Sequence, residues 1–395
     1  MVSWPSIDYE SHPWESQYAH GMASRAAMRR HQGPYRAAVL PPIADLPVEL
    51  PAETVAASTD AAHEVTRFDA ELGGEIAPFS SILLRSESAA SSQIENLTAS
   101  ARAIAEATLG EPTGPNARQV VGNVAAMQAA LALADDVDAD AIRAMHHALL
   151  QHSDPDIAGR WRSEQVWIGG STLGPHTAAF VPPHHDRVRP AIDDLVAFIR
   201  RSDAPVIAHA ALAHAQFETI HPFADGNGRT GRALVHSILR HSGLVRAVTV
   251  PISAGLLTAV DSYFEALTAY RAGDPTPIVD RFTEASHTAV TNSRQLVQDL
   301  RQVRAGWNDR VRARRDAATW RVVDLLLRHP VINVGLVATE LSMATQNVYR
   351  TLTPLVDADV LVTSGRQRDR VWRAPEVLAA ADAFAGRAGR RQRPA

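Results

Sequence analysis

Residues 221–232 read HPFADGNGRTGR and place one imidazole, one carboxylate, two glycines around an asparagine, and two guanidinium groups on one short piece of chain. His221 is the one side chain there whose unperturbed pKa lies near neutrality, which suits a general base. Asp225 offers the hard oxygen that Mg2+ favours when it bridges two phosphates. Gly226 and Gly228 let backbone amides approach an anion closely. Asn227 between them can offer a side-chain amide or take a left-handed backbone. Arg229 and Arg232 are three apart and share a helix face, and their forks match phosphate oxygens. Phe223 turns inward and fixes the loop to the core. Singly, each residue reads equally well as a cap, a turn or a solvated face. Together they point to phosphate chemistry.

Two helices must hold this loop. PVIAHAALAHAQFETI precedes it and RTGRALVHSILRHSGL follows it, so DGNG is a tight turn feeding a helix N-terminus, where free amides and the dipole favour an anion. Further helices are expected over FSSILLRSESAASSQIEN, ARQVVGNVAAMQAALALADD and DADAIRAMHHALLQH, the last behind an Asp cap, and over roughly 252–315. Residues 159–185, with paired glycines and a double proline, read as a two-strand flap or long loop. Residues 1 to about 55 read as extended, turn-rich chain.

Composition narrows the chemistry. All 39 basic residues are arginine and there is no cysteine. Walker-type phosphate lysines, Schiff-base lysines, thiol catalysis and zinc ribbons are therefore excluded. Any phosphate must be met by arginine, backbone amides or a metal. The paired and i, i+5 histidines, among them His146, His184, His185, His209 and His214, do not have metal-ligand spacing on one helix face. The start of the chain does not read as a secretory signal, and no apolar run reaches a membrane-span length, so a cytoplasmic protein is expected. Residues 301–395 hold 17 arginines against 9 acidic residues, so the net charge of −4 divides as +8 there and −12 before. That asymmetry hints at an acidic partner.

The loop resembles the signature of the Fic family, H-x-F-x-[DE]-G-N-G-R-x-x-R, with every fixed position filled. GPYRAAVLPPIADLP is similar to the segment that precedes many Fic domains, and GRWRSEQVWIGG…AAFVPP to the family's flap. The resemblance implies a protein adenylyltransferase that moves AMP from ATP to a Ser, Thr or Tyr hydroxyl of a target protein. In it His221 takes the hydroxyl proton and Asp225 holds Mg2+. The amides of Gly226 to Gly228, with Asn227, stabilise phosphate charge, and Arg229 and Arg232 hold the outer phosphates. The flap, about 166–183, aligns the target as an added strand. Tyr263, in DSYFEAL, is the candidate for the adenine pocket. Gly228 stands where the superfamily's phosphotransferase toxins carry lysine, which favours nucleotidyl over phosphoryl transfer.

SSQIEN, residues 91–96, matches the family's inhibitory pattern through Ser91, Glu95 and Asn96. The resemblance implies that Glu95 competes for Arg232 and restrains ATP binding, and the same glutamate could support the reverse removal of AMP. Residues 317–375 have the order of a winged helix-turn-helix. Thr345, Gln346, Asn347, Tyr349 and Arg350 lie on its second helix, and Arg366, Arg368 and Arg370 in its wing. A DNA-binding regulator acting through this unit is the alternative reading. The expected fold is mainly α: an N-terminal segment 1–115 with an inhibitory helix at about 81–96, a multi-helix Fic core 116–310 with a short β flap, the winged unit 317–375, and a basic tail 376–395. A homodimer is a further expectation.

Overall fold

A computed structural model describes residues 4–14, 29–72, 76–364 and 370–389. In chain order its elements are strands β1 (Asp8–His12) and β2 (Tyr35–Val39), then helices α1 (Ala52–Glu71), α2 (Ile76–Ile94), α3 (Ala101–Thr108), α4 (Pro115–Ala132), α5 (Ala139–Leu150), α6 (Val188–Ile199), α7 (Val206–Ile220), α8 (Asn227–His241), α9 (Ile252–Leu257), α10 (Val260–Arg271) and α11 (Thr276–Arg310). There follow α12 (Ala318–Arg328), β3 (Val331–Asn333), α13 (Val334–Leu341), α14 (Thr345–Asp357), β4 (Val362–Ser364), β5 (Val371–Arg373) and α15 (Pro375–Ala388). The fold is mostly α. None of the described helices is long and apolar enough to cross a membrane.

The chain forms two compact units, each discontinuous in sequence. One comprises Met1–Thr59, Ala129–Ser242 and Asp261–Thr283; the other comprises Asp60–Gln128, Gly243–Val260 and Glu284–Ala395. The linear division at residue 115 expected from sequence is therefore not where the chain separates. The apolar faces of distant helices, rather than chain order, decide which segments share a core.

In the first unit, α7 is buried along almost its whole length and packs against α6 and α8, while α5 packs against α8. α5 starts as the sequence dictates. The Asp138 carboxylate accepts from Ala141 N at 2.7 Å, and Ile142, Met145 and Leu149 follow on one buried face. Gly231 sets how closely α7 and α8 approach: a Cβ there would lie 2.8 Å from Phe217 and Glu218. β1 and β2 are antiparallel, with Asp8 opposite Val39. The proline-rich chain after β2 is held by Asp194, whose carboxylate accepts from Ile43 N and Ala44 N at 2.7 and 3.1 Å.

In the second unit, α2 packs against α9, α12 and α15. Glu87 of α2 is fully buried and accepts from Ser253 N at 2.9 Å, a carboxylate set at the start of α9. α2 closes in a Schellman motif. Leu97 N donates to Ser92 O and Asn96 N to Gln93 O, with Asn96 left-handed at φ 60°. The helix so ended runs 76–94, earlier at both ends than the expected 81–96. Ser91 is buried within it, and Glu95 lies exposed on the closing turn.

Residues 318–373 form α12, α13 and α14 with an antiparallel sheet of order β3-β5-β4. Arg366 and Arg368 lie outside the described residues. The expected tail instead begins as α15: Pro375 opens the helix, alanines sustain it, and Val377, Leu378 and Phe384 bury one face. Between α2, α3 and α15 lies a partly open, mainly apolar pocket bordered by Ile82, Ala90, Ile104 and Phe384.

Replacing Asp138 by alanine removes the α5 cap and is expected to lower stability by about 1 kcal/mol. Urea unfolding followed by circular dichroism measures this. An unchanged midpoint would show that α5 is held by packing alone.

Candidate active site

Residues 221–232 bridge the end of α7 and the start of α8. His221 is the C-cap of α7: its N–H donates to Phe217 O at 2.9 Å, and its φ is 50°. A non-glycine residue in the left-handed region is held there against its own preference. Arg162 does the holding. Its Nε donates to His221 O at 2.8 Å, one Nη to Glu164 O at 3.1 Å, and the other to Pro183 O, while its backbone N–H donates to Pro222 O at 3.0 Å. A cation among carbonyls at a helix C-terminus is also favoured by the dipole.

The loop is then latched from inside. Phe223 N donates to Asn227 Oδ1 at 2.8 Å, and Asn227 Nδ2 donates to Phe223 O at 2.9 Å. Phe223 is fully buried, its ring stacked on His146 at 3.7 Å and on Trp161 at 4.8 Å. His146 itself is bonded at both nitrogens: Gly159 N donates to Nδ1 at 2.9 Å, and Nε2 lies 3.0 Å from Asp225 O. This corrects the expectation for Asn227. Its amide braces the loop instead of facing a ligand, and the left-handed residue is Gly226, at φ 75°. Gly226 is required twice over, because a Cβ there would also meet Leu149 at 2.9 Å.

α8 starts at Asn227, and its first internal bond is Thr230 N to Gly226 O at 3.0 Å. The amides of residues 227 and 228 come before that bond, so the helix start carries N–H groups and positive dipole. Beside them the Asp225 side chain is 70% exposed, with Oδ2 3.3 Å from an Nη of Arg229. Arg229 and Arg232 are both buried, at 4% and 2% exposure.

Tyr263 is placed differently from expectation. It is 1% exposed, and its hydroxyl lies 2.7 Å from His214 Nε2, so its ring offers no open face on which a base could stack. Its neighbour Phe264 is the exposed aromatic of α10. His146 and Arg162 support the loop through bonds to Asp225 O and His221 O, roles that the sequence does not assign to them. A histidine doublet and an arginine in GRWR carry no signal without the fold.

Electrostatics set the state of His221. Burial, then the cations Arg162 and Arg271, push its pKa down to about 3. Its Nδ1 is 3.9 Å from Glu218 Oε2. Arg271 stacks over Phe180 at 3.8 Å, in the flap. The flap is a loop closed by a single antiparallel bridge, Ile168 to Phe180, with Gly169 and Gly170 left-handed at its turn. At its roots Tyr35 OH donates to Gln165 Oε1, and Ala38 N to Val181 O. Nearby, His184, His185 and Asp186 place ligand atoms within 4.8 Å of one another, on a turn instead of the helix face judged from sequence.

Residues 136–239 match the family described as Fic/DOC. The chain is 30% identical over 159 residues to protein adenylyltransferase fic-1 of Caenorhabditis elegans, covering 40% of this chain and 28% of that protein. It is 32% identical over 149 residues to protein adenylyltransferase Fic of Nematostella vectensis, covering 37% and 31%. The match thus spans less than a third of these relatives' lengths. A Fic family protein from Desulfovibrio desulfuricans G20 shares the fold, with a TM-score of 0.52 and 21% identity over 85% of this chain and 98% of that one.

Two buried histidines and the half-buried His221 link stability to pH. Burial holds His146 at about 4, and His214 and His221 at about 3. Unfolded, they titrate near 6.5, so below that pH the unfolded chain binds more protons and stability falls as pH falls. Unfolding midpoints are expected to drop steadily from pH 7 to pH 4. The His221 ring resonances should stay neutral in NMR spectra over pH 5–8, and Arg162→Gln should raise the pKa. A His221 that titrates near 6.5 would contradict this electrostatic account.

Proposed function

We propose, from the Fic domain that residues 136–239 form, that this protein transfers AMP from ATP to a Ser, Thr or Tyr hydroxyl of a protein. The observation that carries the reading is the pairing of a neutral imidazole at the end of α7 with the amide-bearing start of α8 six residues later. The triphosphate binds over the amides of residues 227 and 228, with Arg229 and Arg232 supplying positive charge. His221 accepts the hydroxyl proton, the oxygen bonds to the α-phosphorus, and the bond from that phosphorus to the bridging oxygen breaks, releasing pyrophosphate. The catalytic contribution is positioning and charge stabilisation, as in phosphoryl transfers generally.

One exposed carboxylate beside a phosphate-binding turn is a donor set that suits Mg2+, which takes its other ligands from substrate phosphates and water. Asp225 would hold the ion, whose charge offsets that of the phosphates. Glu95, on the turn that ends α2, restrains the activity. The support is the SSQIEN pattern and the Asn96-closed helix end that presents the glutamate at the surface.

A second reading rests on α14, where Thr345, Gln346, Asn347, Tyr349 and Arg350 are all exposed. We read residues 317–375 as a winged helix-turn-helix that binds duplex DNA through this face. Salt-dependent retardation of a DNA duplex, lost on truncation at residue 316, is the expected result. No retardation at low salt would remove this reading.

Mass spectrometry after incubation with ATP tests the enzymatic reading. A gain of one AMP on a hydroxyl, of the protein itself or of an added lysate protein, is expected. His221→Ala should reduce incorporation by about 100-fold or more, and Glu95→Gly should raise it. Equal incorporation by the His221 variant would rule out this chemistry, and an unchanged Glu95 variant would rule out the restraint.

A further inference from the structure

Just past the second root of the flap the chain reads PPHHDR, and its geometry brings two imidazoles and a carboxylate together. Adjacent side chains diverge on a regular strand or helix. Here the backbone changes type between them. His184 has the ψ of an extended residue, 146°, and His185–Arg187 form a single tight turn, with Arg187 N donating to His184 O at 2.9 Å. The two imidazoles therefore fold to the same side, with ring centroids 4.0 Å apart. Asp186 meets both. Its Oδ2 is 3.2 Å from His184 Nδ1, and its Oδ1 is 3.4 Å from His185 Nε2. A tetrahedral zinc ion with nitrogen and oxygen ligands at roughly 2.0–2.1 Å separates its ligand atoms by about 3.3 Å. Both imidazole–carboxylate distances already have that spacing.

The surroundings hold these donors in place and neutralise the charge that would compete with a cation. His12 of β1 lies flat on His184, with ring centroids 4.3 Å apart and planes 8° from parallel. His12 Nε2 is in turn 3.1 Å from Glu10 Oε1. Arg187, on the same turn as the two histidines, is bound elsewhere: its Nε and one Nη each donate to Glu10 at 2.6 Å. The guanidinium is thus paired with a carboxylate outside the triad, and Asp186 keeps its own charge. Protonated imidazoles this close repel one another, whereas a bound cation uses both in their neutral form.

We propose that His184, His185 and Asp186 bind a divalent transition ion of the zinc class, with water completing its coordination. Two imidazole nitrogens and one carboxylate oxygen suit zinc, cobalt or nickel and disfavour magnesium, which takes oxygen ligands. The site is separate from the Asp225 carboxylate and does not rest on the function proposed above.

Zn2+ is the probe, titrated into metal-free, untagged full-length protein. Calorimetry should show saturable binding that excess Mg2+ does not displace. His184→Ala, His185→Ala and Asp186→Asn should each weaken it about ten-fold or more. His152→Ala, at an exposed histidine elsewhere, should leave it unchanged. In the wild type, Zn2+ should shift the imidazole nitrogen resonances of His184 Nδ1 and His185 Nε2 and leave those of His221 in place; this measurement needs no variant to fold. Absence of those two shifts would overturn the site, and so would an affinity that survives the loss of both histidines.

Discussion

The Arg162 guanidinium gathers the carbonyl of His221 with those of Glu164 and Pro183, which stand at the two roots of the flap. Few single residues could do this. The fork of guanidinium donors reaches acceptors in several directions at once, and the group stays charged when buried. The acceptors are strained or terminal groups: the cap carbonyl of a left-handed residue and two loop carbonyls. Without the cation each would need water in a buried place, at roughly 1–3 kcal/mol apiece. The position of His221, and so of everything after it, follows from this one contact.

Arg162 also ties the electrostatics of the base to the architecture of the flap. A second buried arginine, Arg271, acts from the other side while covering Phe180. Both cations disfavour a proton on His221, and both touch flap residues. Burial first, and then the same two side chains that hold the surface beside it, keep the imidazole neutral.

Much of this was legible in the sequence. The loop residues, the helices on either side and the Asp138 cap follow from periodicity and local hydrogen-bonding chemistry, which act over a few residues. Asn96 was readable for the same reason, since a short polar residue after a helix tolerates the left-handed region. What failed needed contacts that residue type and spacing alone do not reveal. Asn227, between two glycines, has the look of a ligand group, yet its amide faces Phe223 four residues back. Tyr263 read as a possible pocket wall, but its burial depends on His214, almost fifty residues away. The flap's strand character shrank to one bridge because Gly169 and Gly170 turn the chain at once. The C-terminal segment is basic in composition, yet its alanines and the spaced Val377 and Phe384 make it a helix.

The reciprocal amide bonds between Asn227 and Phe223 have a thermodynamic corollary. A loop already closed by its own side chain has its shape before any guest arrives, so little chain freedom remains to be lost on occupancy. Affinity at such a site is governed by Coulombic match and by shedding of bound water. Selectivity among guests carrying the same phosphate tail then has to come from outside the loop.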